Sequence, residues 1–376
     1  MLIFIAPALA AQSPAPPKPS GTVTGHVILG DTHLPARMAS VSLISTKPTE
    51  PTSADSTSRA TTWSAKVQSM LDGTFTIPNV PPGDYYLLAE KVGYISPRHL
   101  PMGPYYMTKE DEEALAKQVT PITVAANRTT AVDTVLTKGA SISGALRFDD
   151  GSPDAEGRVA LMRKDNSGKW VPYLAATAAF NLSEEGGNLA DDQGHFRFAG
   201  LPAGEYLLKS TVEIERGMMR GAAGDSLLSE DFAIDIYYGD GIRQKDAKAI
   251  KLGDGEQSED NNIEIPLAKL HSVSGTVTNL ETGEIVNSAK LELHYADDGS
   301  LATQTNEAGA GFNFLYVPEG EYAVKVVHAA DVIAQGGWTE DQKPIRSYAD
   351  ASQTIIVKGE MHGITIQVKA SPAATP

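Results

Sequence analysis

The chain has 376 residues, no cysteine and a formal net charge of -16 at pH 7, with a pI near 4.9. Without cysteine there can be no disulfide, thiolate metal site or acylated lipoprotein cysteine. An acidic chain with no basic run is also a poor partner for nucleic acid, where affinity comes mainly from clustered Lys and Arg on phosphates, and for anionic membrane surfaces. The length suits two or three domains, each able to bury a core of its own.

Residues 1–10 form an apolar run ending in Ala8-Leu9-Ala10, the small-residue pattern that precedes a signal-peptidase cut, although no basic stretch precedes it. The run is about half of the ~20 residues that a membrane span requires. It is therefore expected to be a signal peptide, with the mature chain exported to the periplasm, the outer surface or the medium and no transmembrane span in it. Residues 11–20 carry Pro14, Pro16, Pro17 and Pro19 and read as an extended Pro-rich linker.

One stretch is then written three times. It runs Asp72-Gly-Thr-Phe-Thr-Ile-Pro-Asn-Val-Pro-Pro-Gly-Asp-Tyr85, then Gln193 to Tyr206, then Ala310 to Tyr322. In each copy an aromatic (Phe75, Phe196, Phe312) stands six residues before a proline (Pro81, Pro202, Pro318), followed by Gly83, Gly204 or Gly320 and by Tyr85, Tyr206 or Tyr322. Phe75 and Ile77 alternate as on a strand, the Pro-Gly pair turns the chain, and the tyrosine restarts the alternation. The stretch is expected to be a hairpin. The tyrosines stand 121 and 116 residues apart, much longer than a solenoid unit of roughly 20–50 residues, so each copy belongs to a domain.

Each unit opens on an alternating strand interrupted by glycine: Thr22-Val-Thr-Gly25, Ser141-Ile-Ser-Gly144 and Ser272-Val-Ser-Gly275. A second strand follows at Ala39–Leu43, Gly157–Leu161 and Ala289–Leu293. In the first unit a Ser/Thr-rich excursion from Ser45 to Ser69 reads as an exposed loop with Trp63 as its one large aromatic. Thr108 and Asp111 make a Thr-x-x-acid cap ahead of Leu115 and Val119, which predicts one short helix over Thr108–Val119. The units close with paired strands: Ile122–Val124 and Ala131–Leu136, Ala249–Leu252 and Asn262–Leu267, Thr354–Val357 and Gly363–Val368. About seven short alternating strands per unit predict an all-β chain of three tandem antiparallel β-sandwich domains. The expected borders are 21–138, 139–269 and 270–370, with a disordered tail at 371–376. Ala310, standing where Gly73 and Gly194 occur in the other copies, predicts a local bulge.

The glycine-bearing first strand, the Gly-x-Phe arm and the Pro-x-Gly-x-Tyr turn resemble the carboxypeptidase regulatory-like domain over about residues 21–370. That resemblance implies a prealbumin-like or Ig-like sandwich, found in tandem in exported bacterial proteins, where it serves as an accessory, adhesive or spacer module. Its motifs specify the fold and name no ligand.

Catalytic and metal chemistry were sought directly. A zinc peptidase needs a His-x-x-Glu pair and a third His, yet none of the eight histidines has Glu three residues on. A Lys–Asn isopeptide bond needs a buried acid at the sixth residue after the turn glycine, where Ala89, Ser210 and Val326 stand. Glu90 is one residue late and on the other face. The acidic turns Asp149–Asp154 and Gly253–Asp260 match no calcium-loop spacing. No metal or cofactor is expected, and no enzyme activity.

Tyr105-Tyr106, Tyr237-Tyr238 and Tyr348 recur ahead of the closing strands, as residues serving the shared fold do. Trp63, Trp170 and Trp338 do not recur and are the candidate binding residues. The expected function is a non-enzymatic exported binding or spacer protein of the bacterial envelope, whose partner is an unidentified protein or glycan. The rivals are a carbohydrate-binding or adhesive protein using loop aromatics, and an accessory subunit of an envelope transporter or protease.

Overall fold

The computed structural model describes residues 19–46, 64–96, 116–117, 119–155, 157–165, 167–173, 188–215, 231–239, 241–308, 311–332 and 344–371. The described residues are nearly all β, and their strands form six sheets that face one another in pairs as three tandem sandwiches.

The first sandwich uses β1 (Gly21–Leu29), β2 (Ser40–Ser45), β3 (Ser64–Gln68), β4 (Thr74–Val80), β5 (Gly83–Glu90), β6 (Ile122–Val124), β7 (Thr129–Ala131) and β8 (Thr134–Leu136). One sheet runs β4-β1-β7 with β8 also on β1, and the other runs β3-β2-β5-β6. The second uses β9 (Ala140–Phe148), β10 (Arg158–Lys164), β11 (Trp170–Pro172), β12 (Asn188–Leu189), β13 (His195–Leu201), β14 (Gly204–Glu215), β15 (Asp231–Tyr237), β16 (Ile250–Leu252), β17 (Gln257–Ser258) and β18 (Ile263–Ile265). The third uses β19 (Leu270–Asn279), β20 (Ser288–Tyr295), β21 (Leu301–Ala308), β22 (Phe312–Pro318), β23 (Gly320–Val332), β24 (Pro344–Ser347), β25 (Ala351–Val357) and β26 (Met361–Val368). Their sheets repeat the plan of the first, with β13-β9-β17 facing β11-β10-β14-β15 and β22-β19-β26 facing β21-β20-β23-β24.

Each sandwich has its own core, built from the inward residues of its alternating strands. Val23, Leu43, Phe75 and Ile77 belong to the first, Ile142, Leu161, Phe196 and Phe198 to the second, and Leu291, Phe312, Phe314 and Val324 to the third. Burying one such side chain contributes about 1.5–3 kcal/mol.

The repeated motif is not a hairpin. β4 pairs with β1, whereas β5 pairs with β2 and β6 in the facing sheet, and the other two copies are split in the same way. The Pro-x-Gly-x-Tyr segment is an arch between sheets. Pro81 and Pro82 have no amide hydrogen to give to a two-stranded ladder, and the tyrosine hydroxyl closes the arch on itself. Tyr85 Oη donates to the Pro81 carbonyl at 2.7 Å, Tyr206 to Pro202 at 2.6 Å and Tyr322 to Pro318 at 2.9 Å.

The first-strand glycine is explained by a close approach. The closing strand runs parallel to the opening one and passes over this residue, so that a Cβ at Gly25, Gly144 or Gly275 would lie 1.7, 2.3 or 2.0 Å from the carbonyl oxygen of Val132, Asn261 or Ile364. Within sheets otherwise joined antiparallel, this pairing closes each sandwich.

Part of the Ser/Thr-rich excursion also differs from expectation. Ser64–Gln68 is a strand, β3, paired with β2, because Ala65 and Val67 alternate with exposed Ser64, Lys66 and Gln68. Ser69 is buried, its hydroxyl donating to Ala36 O and accepting from Ala39 N at 2.8 Å. The expected helix lies outside the described residues except for helical Ala116 and Lys117 and for Val119, which packs on Ile44 and Leu88. Ala310 also lies outside them.

Candidate functional site

Of the three tryptophans, Trp63 and Trp338 lie outside the described residues, and Trp170 is half-buried on β11. Its ring packs beside Met162, Leu207 and Tyr237, with Lys164 Nζ 4.9 Å from the ring centre. Tyr237 and Tyr348 are buried and Tyr238 is half-buried, while Tyr105 and Tyr106 lie outside the described residues. The sixth residue after each turn glycine, Ala89, Ser210 or Val326, faces inward and is buried.

Three carboxylates of the acidic turns accept backbone amides. Asp149 accepts from the Ala268 amide at 2.8 Å, Asp150 from the Ser152 amide at 2.8 Å, and Glu256 from the Gly253 amide at 2.6 Å. Hydrogen bonds from the Ser152 hydroxyl and amide hold the Asp150 carboxyl below its usual range. Among the described residues, no three His, Asp or Glu side chains are grouped to share a metal ion.

A concave site lies where the second sandwich meets the third. Arg243, just after β15, reaches across the junction and lays its guanidinium over the Tyr295 ring, 3.9 Å from the centre. Its Nη1 donates to both oxygens of Asp297 at 2.8 Å, and its Nη2 donates to Asp298 and, at 3.3 Å, to Ser300 Oγ. Lys245 Nζ adds a second donor to Asp297. Asp298 is held in place by the amide and hydroxyl of Ser300, at 2.9 and 2.6 Å. Hydrogen bonds from Lys245 and then Arg243 draw the Asp297 carboxyl down to about 2. The Arg243 side chain is only 15% exposed.

Beside this clasp a cleft of about 430 Å³ opens between the two sandwiches. Val212 and Ile234 of the second sandwich and Leu293 and Leu315 of the third form its apolar walls, with Tyr316 among the lining residues. Tyr237 borders it too, and burial, reinforced by the neighbouring Asp235 carboxylate, pushes its hydroxyl up to about 12.

Sequence reading missed both the clasp and the cleft, since they unite positions from two units. One local signal does mark the site. The fourth residue after the repeated phenylalanine has left-handed backbone in every copy and is Asn79 (φ 57°), Gly200 (φ 80°) and Tyr316 (φ 55°). Asn and Gly tolerate that conformation, and a bulky tyrosine does so at a cost.

No family model matches the chain, and no curated protein matches it. Among solved structures, the Bacillus anthracis TIE protein is 14% identical with a TM-score of 0.21 over 94% of this chain, which spans about half (51%) of that protein's length. A streptococcal ancillary pilin is 13% identical over 93% of this chain and 99% of its own, with a TM-score of 0.29. The minor pilin of Streptococcus agalactiae is 15% identical over 66% of this chain and 97% of its own, with a TM-score of 0.27. Likeness at this level carries no argument about activity or partners; the fold class rests on the strands, sheets and cores described above.

Proposed function

We propose that the chain is a non-enzymatic, exported spacer that holds its loops at a fixed distance and angle to meet a protein or glycan of the cell envelope. On this reading the three sandwiches are regulatory-like domains bordered near 138–139 and 269–270. The observation that carries the proposal is that neither junction has a free linker. At the first, the Gly139 amide donates to Gly93 O at 3.1 Å and Ile95 N to Thr137 O at 2.9 Å. Gly200 of the second sandwich sits against Tyr94 of the first, so that a Cβ there would lie 2.6 Å from the Tyr94 carbonyl oxygen. At the second, β19 begins directly after the short 3-10 turn Leu267–Lys269, Glu319 N donates to Lys269 O at 3.1 Å, and Arg243 clasps the turn of the third sandwich.

Such junctions suit a stiff array better than a string of mobile domains, for which few contacts would cross the borders. The repeated residues support the same reading. Phe, Pro, Gly and Tyr of the motif are all used in cores, arches and close approaches, which leaves specific recognition to the loops that differ between copies. Small-angle X-ray scattering on the full chain tests it. A stiff spacer gives one maximum dimension, unchanged by moderate salt, and Arg243→Ala broadens the distribution. A profile of independently moving domains in the unaltered chain overturns the proposal.

A further inference from the structure

We propose that the cleft between the second and third sandwiches binds a neutral pyranose ring, one residue of a glycan, laid against Tyr316. This goes beyond the spacer reading and does not depend on it. The volume of about 430 Å³ falls within the roughly 300–1,000 Å³ usual for small-molecule sites, which favour domain interfaces.

Tyr316 supplies the second, independent observation. All three copies of the motif bulge at this position, as register breaks opposite Thr22, between Ser141 and Ala140, and opposite Ser272 record. The first two copies fill the bulge with residues suited to left-handed backbone, Asn79 and Gly200, while the third puts a tyrosine there at φ 55°. Tyr316 is half-buried, is among the residues that line the cleft and is not one of those that make up the third core. Backbone strain without a core to justify it is typical of functional positions.

The chemistry of the walls selects the ligand. Arg243 and Lys245 are matched by Asp297 and Asp298, so the cleft offers no uncompensated cation for an anionic ligand. Its apolar side chains are joined among the lining residues by polar ones, including Gln244 and Thr303. A pyranose presents an apolar face to an aromatic ring and a girdle of hydroxyls to such groups. An apolar peptide side chain would use the walls and leave those polar groups unused.

The test is saturation-transfer NMR on the full chain with maltose, cellobiose, lactose and diacetylchitobiose, and with N-acetyltyrosinamide as the peptide-like arm, each repeated on Tyr316→Asn. At least one disaccharide is expected to bind in the millimolar range, and Tyr316→Asn to weaken it about tenfold or more. Because asparagine accepts the left-handed backbone, the same variant is expected to keep or raise the Tm. The inference is overturned if no disaccharide binds, if only N-acetyltyrosinamide binds, if Tyr316→Asn leaves the affinity unchanged, or if it lowers the Tm, which would make the ring structural. Scattering reads the spacer proposal separately, so either can fail alone.

Discussion

Phe196 stands directly across the β9–β13 ladder from Gly144, and its ring covers the face that glycine leaves bare. Phe75 opposite Gly25 and Phe312 opposite Gly275 repeat the pairing. A Cβ at Gly144 would meet the Asn261 carbonyl oxygen at 2.3 Å and Phe196 Cζ at 3.0 Å. The backbone oxygen cannot yield without moving the closing strand, so Gly144→Ala is expected to cost about 1–3 kcal/mol as an overpacked site. Phe196→Ala, which empties the other half of the pair, is expected to cost about 3–5 kcal/mol. Urea unfolding of the full chain reads both; a loss under about 0.5 kcal/mol for Gly144→Ala would mean that the strand does not pass over the glycine as described.

The arch yields a second prediction. Tyr206 is fully buried and its hydroxyl donates to Pro202 O at 2.6 Å. Tyr206→Phe preserves the packing and removes only that bond, at an expected cost of about 0.5–1.5 kcal/mol. Tyr322→Phe removes the same bond and also one between the Tyr322 and Tyr295 hydroxyls, so its expected cost is equal or larger. No loss at either position would show that the proline carbonyl finds another donor and that the arch does not need its tyrosine.

These two cases mark how far the sequence could be read. Alternation, the returning Gly25, Gly144 and Gly275, and the threefold Phe-to-Tyr spacing were enough for an all-β chain of three sandwiches, because inward residues recur at period two whichever strand pairs with which. Pairing itself was not legible. A strand followed by a Pro-Gly turn and another strand has the same pattern in a hairpin and in an arch, and only the partners of Phe75 and Tyr85 distinguish them. β3 was hidden for a related reason: five residues with two small apolar side chains give a weak signal inside a Ser/Thr-rich stretch. The clasp and the cleft were beyond reach, because Arg243 and Asp297 are 54 residues apart and meet only when two sandwiches stack.

The clasp should respond to acid and salt. Asp297 holds its proton less tightly when bonded by Lys245 and Arg243, near 2 against an ordinary 3.8. Its contribution is therefore complete above pH ~4 and is lost as pH falls through about 2. Asp297 is about half exposed, so high ionic strength should weaken the pair as well. Scattering at pH 7, 4 and 2, with circular dichroism to follow the sandwiches, should show the second junction loosening only at the lowest pH. Asp297→Asn should loosen it at pH 7, and an unchanged profile for that variant would assign the rigidity to other contacts.

The last prediction concerns a hydroxyl without a partner. Ser210 on β14 is fully buried, and its Oγ is one of three buried side-chain atoms among the described residues that make no hydrogen bond. The corresponding positions, six residues after the turn glycine, hold Ala89 and Val326, both buried. The site is thus apolar in the first and third sandwiches and carries an unsatisfied polar group in the second. Leaving such a group unpaired costs about 1–3 kcal/mol, and alanine removes the hydroxyl at the price of a very small void. Ser210→Ala is accordingly expected to raise stability by about 0.5–1 kcal/mol, within the usual range for a single stabilising change. Urea unfolding of the full chain measures it. A loss of stability would show that the Ser210 hydroxyl is hydrogen-bonded in solution, most simply to a buried water.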